Sequence, residues 1–143
     1  MECGLDQMND TETYVYSADR IASVGDLSHL LIGQADFSAA TKLQSIKLGD
    51  EDPSYENLNL GTGSNRLSVG SNDLLTSVNI ANCKALGTGD QKSVDFSGCI
   101  GLKTLTAIGT QLKGVDLPNG GRLETLRLPA TLTNFTIQNQ KNL

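Results

Sequence analysis

The chain has 143 residues, with 11 lysines and arginines against 16 aspartates and glutamates, a net charge of -5, and no tryptophan beside three Phe and three Tyr. This length suits one domain, and the acidic balance argues against nucleic acid, where basic contacts supply most of the affinity. No apolar run is long enough to span a bilayer, so no membrane insertion is expected, and Met1-Glu2-Cys3-Gly4-Leu5-Asp6 lacks the basic and apolar regions of a signal peptide.

In sequence order, residues 1–13 are polar and carry no periodic pattern, which predicts an N-terminal tail or linker. Residues 14–143 are expected to form a single domain. Tyr14-Val15-Tyr16 and Arg20-Ile21-Ala22-Ser23-Val24 predict a first strand pair capping it. His29, the one histidine, sits in Leu27-Ser28-His29-Leu30-Leu31 with no nucleophile elbow around it, so a surface or edge position is expected.

The first full copy of a recurring pattern is Leu43-Gln-Ser-Ile46-Lys-Leu48, apolar-x-x-apolar-x-apolar. A polar loop, Gly49 to Asn57, follows it. Leu58-Asn-Leu60 and Leu67-Ser-Val69 read as further strands. Leu75-Thr-Ser-Val78-Asn-Ile80 is the next full copy, and Val94-Asp-Phe96 is the second half of another. The C-terminal series is regular: Leu102 to Ala107, Leu112 to Leu117, Leu123 to Leu128, and Leu132 to Ile137. The last positions of each unit alternate inward and outward, as a short strand requires. The leading leucine fills the core from the preceding bend.

Units recur about every 9–11 residues in this half, too short for a leucine-rich repeat of about 20–29 residues. Taking every second unit steps from Val94 to Val115, from Val115 to Phe135, and from Leu105 to Leu126. The spacing therefore predicts a mostly β solenoid, with a coil of about 20 residues, two short strands per coil and little or no helix. Glycine, proline and asparagine punctuate the connections, as in Leu117-Pro118-Asn119-Gly120-Gly121. Leu105 and Leu126 are expected at equivalent buried layers. The final Gln140-Lys141-Asn142-Leu143 shows no capping repeat. That predicts a fragment of a longer protein or an end that meets a partner.

Cys3, Cys83 and Cys99 do not read as a disulfide framework, and Cys83 and Cys99 are too far apart for a zinc clip. Cys83 and Cys99 each follow a strand by three residues and precede a leucine by three. The matching residue after Phe37 is Ala40, and after Ile137 it is Gln140. Both cysteines are therefore expected to be buried, reduced and unpaired with each other.

No catalytic, metal or cofactor constellation emerges. Asp95 and Asp116 each follow a strand centre, one full period apart in sequence, so they are expected on adjacent coils, about 4.8 Å apart. That is near the separation of a retaining glycosidase pair. Both occupy outward strand positions, however, where a solvated face accepts any polar group. Gly61-Thr-Gly63 and Gly87-Thr-Gly89-Asp90 lack the tandem array of a calcium-binding β-roll. Asp50, Glu51, Asp52 and Glu56 read as an ordinary acidic turn.

Leu75-x-x-Val78-x-Ile80-x-x-Cys83-x-x-Leu86 resembles the leucine-rich-repeat consensus. Leu123-x-x-Leu126-x-Leu128-Pro129-x-x-Leu132-x-x-Phe135 resembles the BspA-like, or Treponema-type, subclass of bacterial surface proteins. The sequence departs from that subclass in lacking regular Ala-Phe pairs on the convex side. Ile21-x-x-Val24-Gly25-Asp26-Leu27-Ser28, Val94 to Cys99 and Leu117 to Gly121 are similar to uncharacterised leucine-rich segments of gut bacteriophage structural proteins. These resemblances imply a phage or bacterial surface assembly, at the virion or cell surface, that binds proteins or host glycans.

The expectation is a non-enzymatic binding, adhesion or protein-interaction module without cofactor or metal. Its binding surface would be an outward row of Asp95, Asp116 and Thr136, with Thr106 and Arg127 on the opposite sheet. The alternatives are a structural spacer that packs end to end or on neighbouring domains, and a carbohydrate-binding or carbohydrate-active protein.

Overall fold

The structure is a computed structural model that describes residues 13–15, 23–26, 28, 34–52, 67–140 and 143. Within these, the protein is mostly strand and contains no helix. The strands are β1 (Thr13–Val15), β2 (Ser23–Asp26), β3 (Gln34–Asp36), β4 (Ser45–Lys47), β5 (Leu67–Ser68) and β6 (Ser77–Asn79). They continue with β7 (Ser93–Asp95), β8 (Thr104–Thr106), β9 (Gly114–Asp116), β10 (Thr125–Arg127) and β11 (Asn134–Thr136).

Successive strands join different sheets. The even-numbered strands form one five-stranded sheet in the order β10-β8-β6-β4-β2. The odd-numbered strands form two three-stranded sheets, β1-β3-β5 and β11-β9-β7. Every pairing is parallel. Leu105 stands against Leu126, Val94 against Val115, and Val115 against Phe135. Strand neighbours are thus every second apolar unit, as the spacing in the C-terminal half predicts.

The N-terminal half departs from that period because two connections are longer. Ile46 pairs with Val78, Ala35 with Leu67, and Val78 with Leu105. Each of these steps covers more sequence than the step from Leu105 to Leu126. The additional residues fall between β4 and β5 and between β6 and β7, so the strand centres keep their register while the sequence period is lost. The expected capping pair is corrected in one respect. β1 pairs with β3 and β2 with β4, not with each other, because consecutive strands belong to different sheets. Thr13, read as the end of the tail, is the first residue of β1. Leu58 to Leu60, Asn57, His29 and Cys3 lie outside the described residues.

The core follows the apolar pattern. The strand-centre residues Ile46, Val78, Val94, Leu105 and Val115 are buried, as are Leu48, Ile80, Phe96 and Ala107 two positions later. The leading residues Leu43, Leu75, Leu102, Leu112 and Leu123 are buried with them. Full burial of one such side chain stabilises by about 1.5–3 kcal/mol. Leu126 is the exception: it is only partly buried, because β10 is an edge strand covered on one side. In β11, Phe135 is 48% exposed.

Similar turn chemistry follows three of the strands. The Asp36 and Asp95 carboxylates accept from the backbone N–H of Ser38 and Ser97, at 2.9 and 2.8 Å, and the Asn79 amide oxygen accepts from Ala81 N–H at 3.0 Å. These Asx turns bend the backbone at the strand end. Tight backbone bonds then follow, Cys99 N–H to Phe96 O and Leu102 N–H to Cys99 O, with the same pair of bonds at Cys83 and at Ala40. The inward residue of each such bend is Ala40, Cys83 or Cys99, all buried, and both cysteines are free thiols. Cys83 Sγ donates to Leu48 O at 3.5 Å, and Cys99 Sγ to Gly70 O at 3.6 Å. At Cys83 the thiol therefore serves a buried carbonyl, which alanine could not do.

Long-range amides tie neighbouring turns together. Asn72, buried, donates to Ala40 O and Leu43 O at 3.2 and 2.8 Å and accepts from Leu74 N–H. At the position matching the cysteines, Gln140 donates to Pro118 O and accepts from Leu123 N–H. Gly109 has φ +78°, and a Cβ there would overlap the Asn82 side chain, so glycine is required at that close approach.

Candidate binding groove

The register of β7 and β9 sets Asp95 directly beside Asp116. Their strand-centre neighbours Val94 and Val115 point into the core, so period-two alternation turns both carboxylates outward. Both are exposed, on strands about 4.8 Å apart. The backbone of β11 continues the row, with Thr136 in register with Asp116. On the other odd-strand sheet, Asp36 is in register with Ser68.

A glutamine joins the two odd-strand sheets. Gln91 accepts from Leu67 N–H at 2.7 Å through Oε1 and donates to Leu67 O at 2.8 Å through Nε2. Its amide takes the place of a ladder peptide and satisfies both backbone groups of Leu67.

The strand ends and their turns frame a concave surface. One part, of about 290 Å³, is lined by Asp95, Ser97, Asp116, Leu117, Asn119 and Gln138. A second part, of about 470 Å³, shares Asp95 and Ser97 and extends to Asp36, Ser38, Ser68 and Ser71. Carboxylates, hydroxyls and amides dominate the lining, and no lysine or arginine is among its described residues. The two central acids differ. Asp95 gives one oxygen to its own turn. At Asp116 the residue two positions on is Pro118, which has no N–H to donate, so the same turn bond cannot form.

The opposite sheet is arranged otherwise. Lys47, Asn79, Thr106 and Arg127 share one register across β4, β6, β8 and β10. The expectation that Thr106 belongs to a presented surface is corrected: it is 4% exposed. It lies on an inner strand in register between Asn79 and Arg127, whose longer side chains stand on either side. Arg127 forms an ion pair with Glu51, and Lys47 lies 3.8 Å from Asp50. The segment after β4 runs beside the one after β6, with Leu48 and Gly49 N–H donating to Asn79 O and Asp50 N–H to Ala81 O.

The sequence pattern marks Asp95, Asp116 and Thr136, and the strand register places them in one row. It does not mark Ser97, Asn119 or Gln138, which come from turns beyond the strands. Pro118-Asn119-Gly120 is a visible turn signal, but its position beside Asp116 depends on how the strands stack. The Cys99 thiol is pushed up from its ordinary value, first by burial and then by the charges of Asp95 and Asp73, against the lowering effect of the Asn72 backbone N–H.

Among the described residues, no group of three or more His, Cys, Asp or Glu side chains is placed to hold a metal ion, and no helix is long and apolar enough to cross a membrane. Compared with protein-family models, curated proteins and solved structures, the sequence and its fold match none of them.

Proposed function

We propose that this protein is a leucine-rich-repeat-like solenoid, with about 20 residues per regular coil, that acts as a non-catalytic binding module in a phage or bacterial surface assembly. The groove along the odd-numbered strands takes the ligand. The observation that carries this reading is the in-register pair Asp95 and Asp116, both exposed in one concavity with Ser97, Asn119 and Gln138. Such a lining is rich in acceptors and has no lysine or arginine among its described residues, so it suits a ligand rich in donors. Sugar hydroxyls meet that need, as do the lysine and arginine side chains of a protein.

A glycan array and a panel of lysine- and arginine-bearing peptides, probed with the wild type and with Asp95→Asn/Asp116→Asn, test it. The expected result is a hit whose affinity falls about tenfold or more in the double variant, the scale of one charge-assisted hydrogen bond. A hit that binds the double variant equally well contradicts the groove assignment. Hydrolysis of an array glycan, abolished by either single substitution, contradicts the non-catalytic reading.

A spacer role is the second reading, favoured by one observation. Phe135 and Ile137 are 48% and 39% exposed at the β11 edge, an apolar surface suited to packing on a neighbouring domain or a second copy. Light scattering on the eluting protein tests self-association: a concentration-dependent dimer supports end-to-end packing, and a strict monomer argues against it.

A further inference from the structure

Asn119-Gly120 is the one Asn-Gly pair in the sequence. It lies in the turn after β9, where Gly120 has φ +72° and a Cβ added to it would meet no atom within 4 Å. Asn119 is exposed and lines the groove with Asp95 and Asp116. We propose that Asn119 is a site of spontaneous deamidation, which turns a groove amide into a further carboxylate beside Asp95 and Asp116.

The chemistry uses atoms already in the turn. The Gly120 backbone nitrogen, having lost its proton, attacks Asn119 Cγ and closes a five-membered succinimide. The Cγ–Nδ2 bond of Asn119 breaks, and ammonia leaves with the proton. Water then adds to either imide carbonyl, opening the ring to aspartate or to isoaspartate. One water is consumed and one ammonia released, with no change of oxidation state. Glycine matters because it carries no Cβ to hinder the attack and lets the backbone rotate into it.

Two hydrogen bonds oppose the reaction. Gly120 N–H donates to Gln138 O at 3.0 Å, and Asn139 Nδ2 donates to Asn119 Oδ1 at 2.7 Å. Both come from the exposed turn after β11, the last of the described strands, where local opening is cheap. Other described asparagines are held differently. Asn72, Asn79 and Asn82 precede Asp73, Ile80 and Cys83, and each side chain is tied to backbone, as through Asn82 Nδ2 to Asp50 O at 2.9 Å. They are internal controls.

The test incubates the folded 143-residue chain in mildly alkaline buffer and follows it by isoelectric focusing and peptide mapping. The expected product is one charge unit more acidic than the starting material, with aspartate and isoaspartate at residue 119 and intact Asn72, Asn79 and Asn82. Asn139→Gly keeps the left-handed backbone and removes the clamp, so it should accelerate the conversion severalfold. Asn119→Gln should abolish the acidic band. The proposal is overturned if Asn119 stays an amide in both the folded wild type and Asn139→Gly while the urea-unfolded protein deamidates. It is equally overturned if modification is spread evenly over the other asparagines.

Discussion

The odd-strand groove and the even-strand sheet are built on one pattern and end in different states. In both, the residue after the strand centre points outward. On the even sheet Glu51, after β4, engages Arg127, Asp50 approaches Lys47, and Thr106 is buried. On the odd side Asp95 and Asp116 stay exposed, and Pro118 removes the turn bond that Asp116 would otherwise make. An outward strand position is thus only a candidate for binding. Whether it is free depends on what the loops do next, which strand periodicity does not encode.

The largest effect separating the two regions is expected in the core beneath them. Leu105→Ala, fully buried under the even sheet, should cost about 2–5 kcal/mol. Leu126→Ala, on the edge strand, should cost clearly less, since part of its side chain is already in water. Urea unfolding of both variants measures this, and equal losses would break the distinction between inner and edge layers.

Next in size is the joint within the odd side. Gln91→Ala leaves the Leu67 N–H and C=O without their partner, at about 1–3 kcal/mol for an unsatisfied buried group. Hydrogen exchange at Leu67 should quicken while exchange at Leu105 changes little. Unchanged exchange at Leu67 would mean that water or another group replaces the glutamine.

A smaller, pH-dependent effect concerns Cys99. Its thiol is raised in the folded state, so the neutral form is favoured by folding. That contribution is fully present below the unfolded thiol value, about 8.5, and is lost as pH rises through the raised folded value. Urea midpoints should fall across that alkaline window in wild type and fall less in Cys99→Ala. In native protein at neutral pH, both Cys83 and Cys99 should react with a thiol reagent far more slowly than in urea.

The smallest effect is at the even-sheet surface. Arg127 and Glu51 are nearly half exposed, 46% and 44%, so Arg127→Ala should cost no more than about 1 kcal/mol. The loss should shrink with added salt. A larger, salt-independent loss would show that Arg127 matters through packing over Thr106.

Much of the strand layout is legible in the sequence because each layer repeats the same demand, an apolar residue at the centre, another two positions later and a leucine in the bend. Val94, Leu105 and Val115 obey it and are buried. The burial of Cys83 and Cys99 follows from the same alignment. What is not legible comes from contacts between distant turns. Asn72 and Gln91 bond to backbone 29 and 24 residues away, and no local pattern marks a glutamine that will stand in for a strand. Gln140 departs from the small residue of its position, and it bonds the turns at Pro118 and Leu123. The site is half legible: period two places Asp95 and Asp116 outward, but the groove around them needs Ser97, Asn119 and Gln138 from separate turns.

In the proposed function, ligand enters on the odd-strand side. Its most direct test is an NMR titration of isotope-labelled protein with the glycan or peptide that the array selects. Amide shifts should concentrate at Ser97, Gly98, Asp116, Asn119 and Gln138 and be lost in Asp95→Asn/Asp116→Asn. Shifts concentrated instead at Lys47, Asn79 and Arg127 would place the ligand on the even-strand sheet and contradict it.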